Sequence, residues 1–224
     1  MDCAPPCLPH PPPDAAASRA RLLGAALRLF AENGFAKTSI RQIAEAAGAN
    51  AALISYYFGD KQGLYNAAYA EPLGGPLRVE AGPEGHSLHG FLEQFLTGYM
   101  RPLAMGDQVE LCMRLHFREM LDPSGLWQQE LENEVKPLHA TLSRLLCEAV
   151  GALEPDDDIH RLALAISALP LQYYAHRELI QQMAPQLLGD AAGLQATTRR
   201  LIDCAHDLVA GEIRRRQVLA SRTP

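Results

Sequence analysis

The stretch from Thr38 to Tyr65, TSIRQIAEAAGANAALISYYFGDKQGLY, constrains this chain more than any other. Ser39 and Gln42 have the spacing of a capping box, in which each side chain satisfies the other residue's backbone amide at a helix start. Ile40, Ile43, Ala44 and Ala47 then recur as the buried face of that helix. Gly48-Ala49-Asn50 reads as a turn, since Gly48 tolerates positive φ and Asn50 can cap the next helix. A short helix follows over about Ala51–Phe58. Gly59-Asp60 breaks it, and another helix runs from about Lys61 to Glu71. Two short helices around a turn containing Gly form a helix-turn-helix, whose second helix enters the major groove of DNA.

Before this stretch, Ser18 is placed to cap a helix from Arg19 to about Asn33. Leu22, Leu23, Ala26, Leu27 and Phe30 make its apolar stripe. Gly34 supplies the stop, and Phe35 is expected to pack back on the core. Residues 1–17, MDCAPPCLPHPPPDAAA, are rich in Pro and Ala and read as a disordered tail. Cys3, Cys7 and His10 lie on that tail without a fourth ligand, so no zinc site is assigned there.

The segments ALRLFAENGFAKTSIRQIAEAAG and SYYFGDKQGLY, within Arg19–Tyr69, resemble the DNA-binding domain of the TetR family of transcriptional repressors. The resemblance covers about a quarter of the chain. It implies that residues near the start of the third helix face base edges. Ala51, Ala52 and Leu53 offer only apolar contact there, for example with a thymine methyl. Arg41 is the candidate for a bidentate guanine contact or a phosphate clamp. Ser55, Tyr56 and Tyr57 have hydroxyls for phosphate oxygens, and Lys61 begins a helix whose charge and free amides suit phosphate. Ser55 departs from the Tyr the family often carries there, keeping a hydroxyl on a shorter side chain. One of Tyr56 and Tyr57 is expected to be partly buried and the other to reach the DNA backbone; the sequence does not separate them. Phe58 is expected in the core. With Thr38 and Asn50 at the motif's two turns, these residues are the candidate DNA contacts.

From residue 72 to 86 the chain is rich in Gly and Pro, a linker between a head at 18–71 and a body at 87–224. The body patterns as helices over about Ser87–Leu103, Asp107–Leu121 and Leu126–Val150, the last kinked or split near Val135 by Pro137. The acidic run Glu154–Asp158 favours the start of a helix reaching about Met183, with a kink expected at Pro170. A final helix covers about Leu194–Val218. The fold class is therefore all-α, a three-helix helix-turn-helix head plus a helical body, which the family resemblance implies is a ligand-binding and dimerisation domain.

The pattern LHFREMLDPSGLWQQELENEVKPLHATLSRLLCEAVG, with LPLQYYAHRELI beyond it, resembles regulatory domains of the CecR (YbiH) subgroup of the same family. That resemblance implies a small-molecule effector pocket among the body helices. The candidate lining is Phe95, Tyr99, Met113, His116, Phe117, Met120, Trp127, Tyr174 and Arg177, with His116, Tyr174 and Arg177 as polar anchors. Aromatic residues at helical spacing are equally what an ordinary core supplies. The resemblance also implies a homodimer through the two long C-terminal helices, faced by Leu162, Ala165, Ile166 and Leu169, and by Leu201, Ile202, Ala205, Leu208 and Val209.

No HExxH, Gly-rich phosphate loop or Cys-x-x-Cys pair is present, so an enzyme is not indicated and no cofactor or metal is assigned. His86 and His89 read as surface histidines, and the charges between Arg101 and Lys136 as solvated faces. Five scattered cysteines suit a reducing compartment. With no apolar span and no leader-like N-terminus, the expected location is the cytoplasm. The net charge of −6 is uneven: six Lys and Arg face four Asp and Glu between Asp14 and Ala70, a balance of +2 that leaves −8 on the rest. A weakly basic head on an acidic body fits a modular DNA binder with a separate regulatory part, and the family resemblance implies a repressor that binds a palindromic operator as a dimer and leaves it on effector binding. A helical interaction protein that keeps the fold without specific DNA binding is the alternative.

Overall fold

A computed structural model describes residues 15–72 and 87–221. The tail residues 1–14 and the linker residues 73–86 lie outside the described residues. The chain divides after Pro72 into two compact units. Among the described residues every regular element is helical.

The head contains α1 (Ala15–Lys37), α2 (Ile40–Ala46), α3 (Ala52–Phe58) and α4 (Lys61–Ala70). α1 starts three residues before Ser18, which is buried within it, so the expected cap and tail boundary are corrected. Ala15–Ala17 extend the helix at little cost because Ala is the best helix former. α1 bends at Gly34, whose φ of 80° and ψ of 169° leave the helical region. Beyond the bend Phe35 turns back, its ring centroid 5.0 Å from Tyr65 and 6.0 Å from Phe30. α1 packs on α4 and α2, and α3 packs on α4, around Leu22, Leu27, Phe30, Ile43, Ile54, Leu64 and Tyr65.

The body contains α5 (Leu88–Met100), α6 (Asp107–Leu121), α7 (Leu126–Glu130), α8 (Lys136–Val150), α9 (Asp157–Ala175), α10 (Arg177–Met183) and α11 (Ala191–Ala220). Phe91, Phe95, Leu96 and Met100 of α5 meet Leu142 and Leu146 of α8, Ile159 and Ile166 of α9, and Leu201, Ala205 and Val209 of α11 in one core. The expected disturbance near Val135 is a π turn over Leu131–Val135, directly before Pro137 in the first turn of α8. At Pro170, where a kink was expected, α9 stays continuous. α9 runs through a buried Pro170 to Ala175, and the break comes at His176 with φ −122° and ψ 30°. The ring's burial in the core offsets the one hydrogen bond that Pro cannot donate.

Asp156 caps α9, its Oδ1 accepting from the Ile159 amide at 2.9 Å. The same carboxylate takes two hydrogen bonds of 2.8 Å from Arg216 near the end of α11. Arg216 and Arg215 share Glu212, and Arg215 reaches Asp158. This ion network ties the first turn of α9 to the last turns of α11.

Candidate nucleic-acid interface

The helix-turn-helix is built by local chemistry. The Ser39 hydroxyl accepts from the Gln42 amide at 3.2 Å, and Gln42 Oε1 accepts from the Ser39 amide at 2.8 Å, closing the expected capping box. Gly48 turns the chain at φ 58°. Asn50 Oδ1 accepts from the Ala52 amide at 2.9 Å and so starts α3. Gly59, at φ 80°, ends α3. Asp60 then caps α4 by accepting from the Gly63 amide at 2.8 Å. The Asp60 cap was not foreseen; Asp followed three residues later by a Gly amide was its signal. It places a carboxylate on the helix start where phosphate was expected to sit.

On this frame Arg41, Asn50, Ala51, Ala52, Ser55 and Tyr56 are exposed, and Leu53 is half-buried. They lie on the exposed side of α2 and α3. Tyr56 and Tyr57 are separated by the fold. Tyr56 is 42% exposed, whereas Tyr57 is half-buried with its hydroxyl enclosed and unpartnered. Of the two, Tyr57 is thus the partly buried one and Tyr56 the exposed one.

Three expected roles change. Thr38 is 2% exposed, and its hydroxyl donates to the carbonyls of Gly34 at 2.9 Å and Leu29 at 3.1 Å. That hydroxyl fastens the end of α1 and faces inward, away from solvent. Lys61 is half-buried with its Nζ 4.3 Å from the Phe35 ring centroid, so its charge is held by a cation–π contact. Phe58 is half-buried under the Arg19 guanidinium, 4.9 Å from its centroid, rather than enclosed in the core. Arg19 in turn pairs with Glu71 at 2.6 Å, and this hydrogen bond raises the arginine's pKa and lowers the carboxyl's.

Within the body, Phe95 is fully buried core, its ring 4.9 Å from half-buried Tyr99. Tyr174 donates its hydroxyl to the Tyr99 carbonyl, and Arg177 donates to the Leu103 carbonyl at 3.2 Å. Two of the three expected anchors thus tie α9 to the last turn of α5 and α10 to the 3-10 turn Arg101–Met105 that follows it. His116 Nδ1 meets the Cys112 carbonyl at 2.8 Å, and its Nε2 lies 4.0 Å from Glu130. Burial raises the Tyr99 pKa, with Glu130 and Glu134 adding to the rise, so both carboxylates act on this phenol. Met113, Phe117 and Trp127 are half-buried, while Met120 is 42% exposed and does not share the surroundings of Met113. Glu119 is 1% exposed and accepts from the Ser124 amide at 3.0 Å, which corrects the reading of these charges as solvated. The turn after α6 needs an acceptor, and a carboxylate on its last turn provides one. Burial pushes the Cys112 thiol up to about 12, which keeps it protonated and unreactive. His89 stacks on His206 of α11, with ring nitrogens 2.9 Å apart.

A helix-turn-helix with a capped first helix and an exposed second helix defines a DNA-binding protein. Residues 22–68 match the family described as bacterial regulatory proteins of the tetR family, and residues 88–210 match the C-terminal domain of the HTH-type transcriptional dual regulator CecR. CecR of Shigella flexneri is 30% identical over 173 residues, 71% of this chain and 75% of that protein. The transcriptional regulator RutR of Escherichia coli strain K12 is 31% identical over 167 residues, 71% of this chain and 74% of that one. A TetR-like regulator from Rhodococcus sp. RHA1 shares the fold, with a TM-score of 0.56 at 21% identity over 92% of this chain and all of that one. The chain belongs to the TetR family of DNA-binding transcriptional regulators, with a body of the CecR type.

Proposed function

We propose that this regulator is a cytoplasmic repressor that binds a roughly palindromic operator as a homodimer and leaves it when a small molecule binds the body. Each protomer would set α3 in a major groove, one half-site per head. A single seven-residue reading helix contacts few bases, so two heads at fixed spacing are needed for specificity. The observation that carries this reading is the exposed set Arg41, Ala51, Ala52, Ser55 and Tyr56 on one helix-turn-helix. The effector would act by binding one dimer state better than the other, the favoured state holding the heads at a spacing the operator does not match.

A fluorescent duplex of the protein's own upstream region, titrated against a random duplex at physiological salt, tests the claim. Specific binding should be tighter by at least about a thousandfold. Equal affinity for both duplexes would leave the helical interaction protein as the better account. Arg41→Ala should cost about 1–3 kcal/mol on the upstream duplex and less on the random one; equal losses would restrict Arg41 to phosphate. A thermal-shift screen of small molecules identifies the effector by mass action on the folded state.

A further inference from the structure

His89 of α5 and His206 of α11 meet across two packed helices. His89 Nδ1 lies 2.9 Å from His206 Nε2. The ring centroids are 4.9 Å apart, so these two nitrogens are the corners that face each other. On its far side, His89 Nε2 lies 3.5 Å from a carboxylate oxygen of Glu93, one turn further along α5. A carboxylate beside one ring nitrogen favours the proton there and leaves the lone pair on the other. For His89 that other nitrogen is Nδ1, the one facing His206. A carboxylate behind an imidazole whose second nitrogen carries a lone pair is the arrangement that orients a metal-ligating histidine.

The spacing selects a kind of ion. A metal–imidazole bond is about 2.0–2.1 Å, so two imidazole nitrogens at right angles on one ion stand about 2.9 Å apart, against about 3.4 Å on a tetrahedral one. Right-angled sites of nitrogen and oxygen ligands suit Ni2+ and Cu2+. Among the described residues no group of three His, Cys, Asp or Glu side chains is placed to hold a metal, so the pair is the whole protein contribution and water supplies the rest. Water has access, since the His89 side chain is 63% exposed and His206 half-buried. We propose that His89 and His206 form a two-histidine site for a divalent ion of the Ni2+ or Cu2+ kind, with Glu93 as the positioning residue for His89. A bound ion ties the first turn of α5 to the middle of α11. Without metal the same nitrogens share one N–H···N hydrogen bond, which holds the two helices at the spacing the ion needs. His139 of α8 and His160 of α9 also meet, Nε2 to Nδ1 at 3.1 Å. No carboxylate pairs with either of those rings among the described residues, so that pair lacks the orienting group.

Calorimetric titration of the full chain with Ni2+ tests the site. The wild type is expected to show a binding event that His89→Ala and His206→Ala each abolish. His139→Ala should keep it, which separates this pair from the other. Binding at the cysteines survives all three substitutions and is told apart in that way. Glu93→Gln should weaken the event about tenfold, the lower end for a group that orients a metal ligand. Ni2+ should also raise the melting temperature of the wild type, as any ligand of the folded state does, and leave that of His206→Ala in place. His206→Gln keeps a hydrogen-bonding group at the pair and repeats the test should the alanine variant not fold. Ni2+ binding that persists in both His89→Ala and His206→Ala overturns the proposal, as does a loss of equal size in His139→Ala. A wild-type melting temperature that Ni2+ does not move overturns it too. An unchanged affinity in Glu93→Gln strikes the carboxylate from the site.

Discussion

Tyr56 and Tyr57 show how much one step along a helix decides. Tyr56 stands in solvent, whereas Tyr57 turns its ring inward and encloses an unpartnered hydroxyl. A buried hydroxyl with no acceptor costs about 1–3 kcal/mol of desolvation. Tyr57→Phe should therefore raise stability by about 1 kcal/mol in urea melts and leave DNA affinity unchanged, while Tyr56→Phe should weaken DNA binding without moving the melt. A loss of DNA affinity in Tyr57→Phe would restore the phosphate role to that residue. Neither outcome was legible in the sequence, because both tyrosines fit the helical pattern and only burial in the folded head separates them. Gly63 carries a second constraint of this kind. A Cβ there would stand 1.9 Å from the Phe58 carbonyl oxygen, so the start of α4 could not approach the end of α3. Gly63→Ala should destabilise the head by about 1–3 kcal/mol, the range for forced overpacking.

The elements were legible wherever a local chemical signal fixed them. The Ser39–Gln42 box, the Gly48 turn and the Gly59 stop each stand where the residue types demand, and their physics is confined to a few neighbours. Pro170 does not end α9, because its cost depends on burial, which is a property of the core and not of the helix. The state of Glu119 likewise depends on the fold, since a carboxylate on a polar helix face looks solvated until the following turn folds over it. The network between α9 and α11 joins residues 57 to 60 positions apart and left no local trace. It has a pH signature. Hydrogen bonds from Arg216 and the Ile159 amide hold the Asp156 carboxyl at about 2, below its unfolded value near 4. A lowered carboxyl pKa stabilises the fold above the unfolded value, and the contribution is lost as pH falls from about 4 towards 2. Asp156 is exposed and Arg216 half-buried, so solvent screening limits the pair to roughly 0.2–1 kcal/mol. Arg216→Ala should lower the unfolding free energy from urea melts at pH 7 by that amount and make almost no difference near pH 1. An equal deficit at both pH values would assign the effect to packing of the arginine stem.

At the scale of the whole molecule, the question is which apolar surface remains for a second copy. The stripes read from the sequence are largely consumed by the body itself: Leu162, Ile166, Leu201, Ala205 and Val209 are all buried within one chain. Periodicity finds the apolar face of a helix but cannot tell an internal partner from an external one. What remains exposed on α9 is a row offset from that stripe, Leu164, Ala168 and Leu171, spaced by four and three residues. Leu164 is 62% and Leu171 39% exposed. On α11, Leu208 is 38% exposed between half-buried Cys204 and Gly211, a row of small and apolar groups that lets a neighbouring helix come close. Since α9 and α11 pack together, we propose that the two rows form the apolar centre of the homodimer interface. Leu164→Glu places a charge at that centre without disturbing the core, because Leu164 contributes little to it. Light scattering should then show a monomer at concentrations where the wild type is a dimer, with an unchanged circular-dichroism spectrum. Affinity for the upstream duplex should fall by two orders of magnitude or more, as the two heads lose their fixed spacing, while random-duplex binding by each head persists. A Leu164→Glu protein that remains a dimer would move the interface away from this row and leave its exposure without a partner.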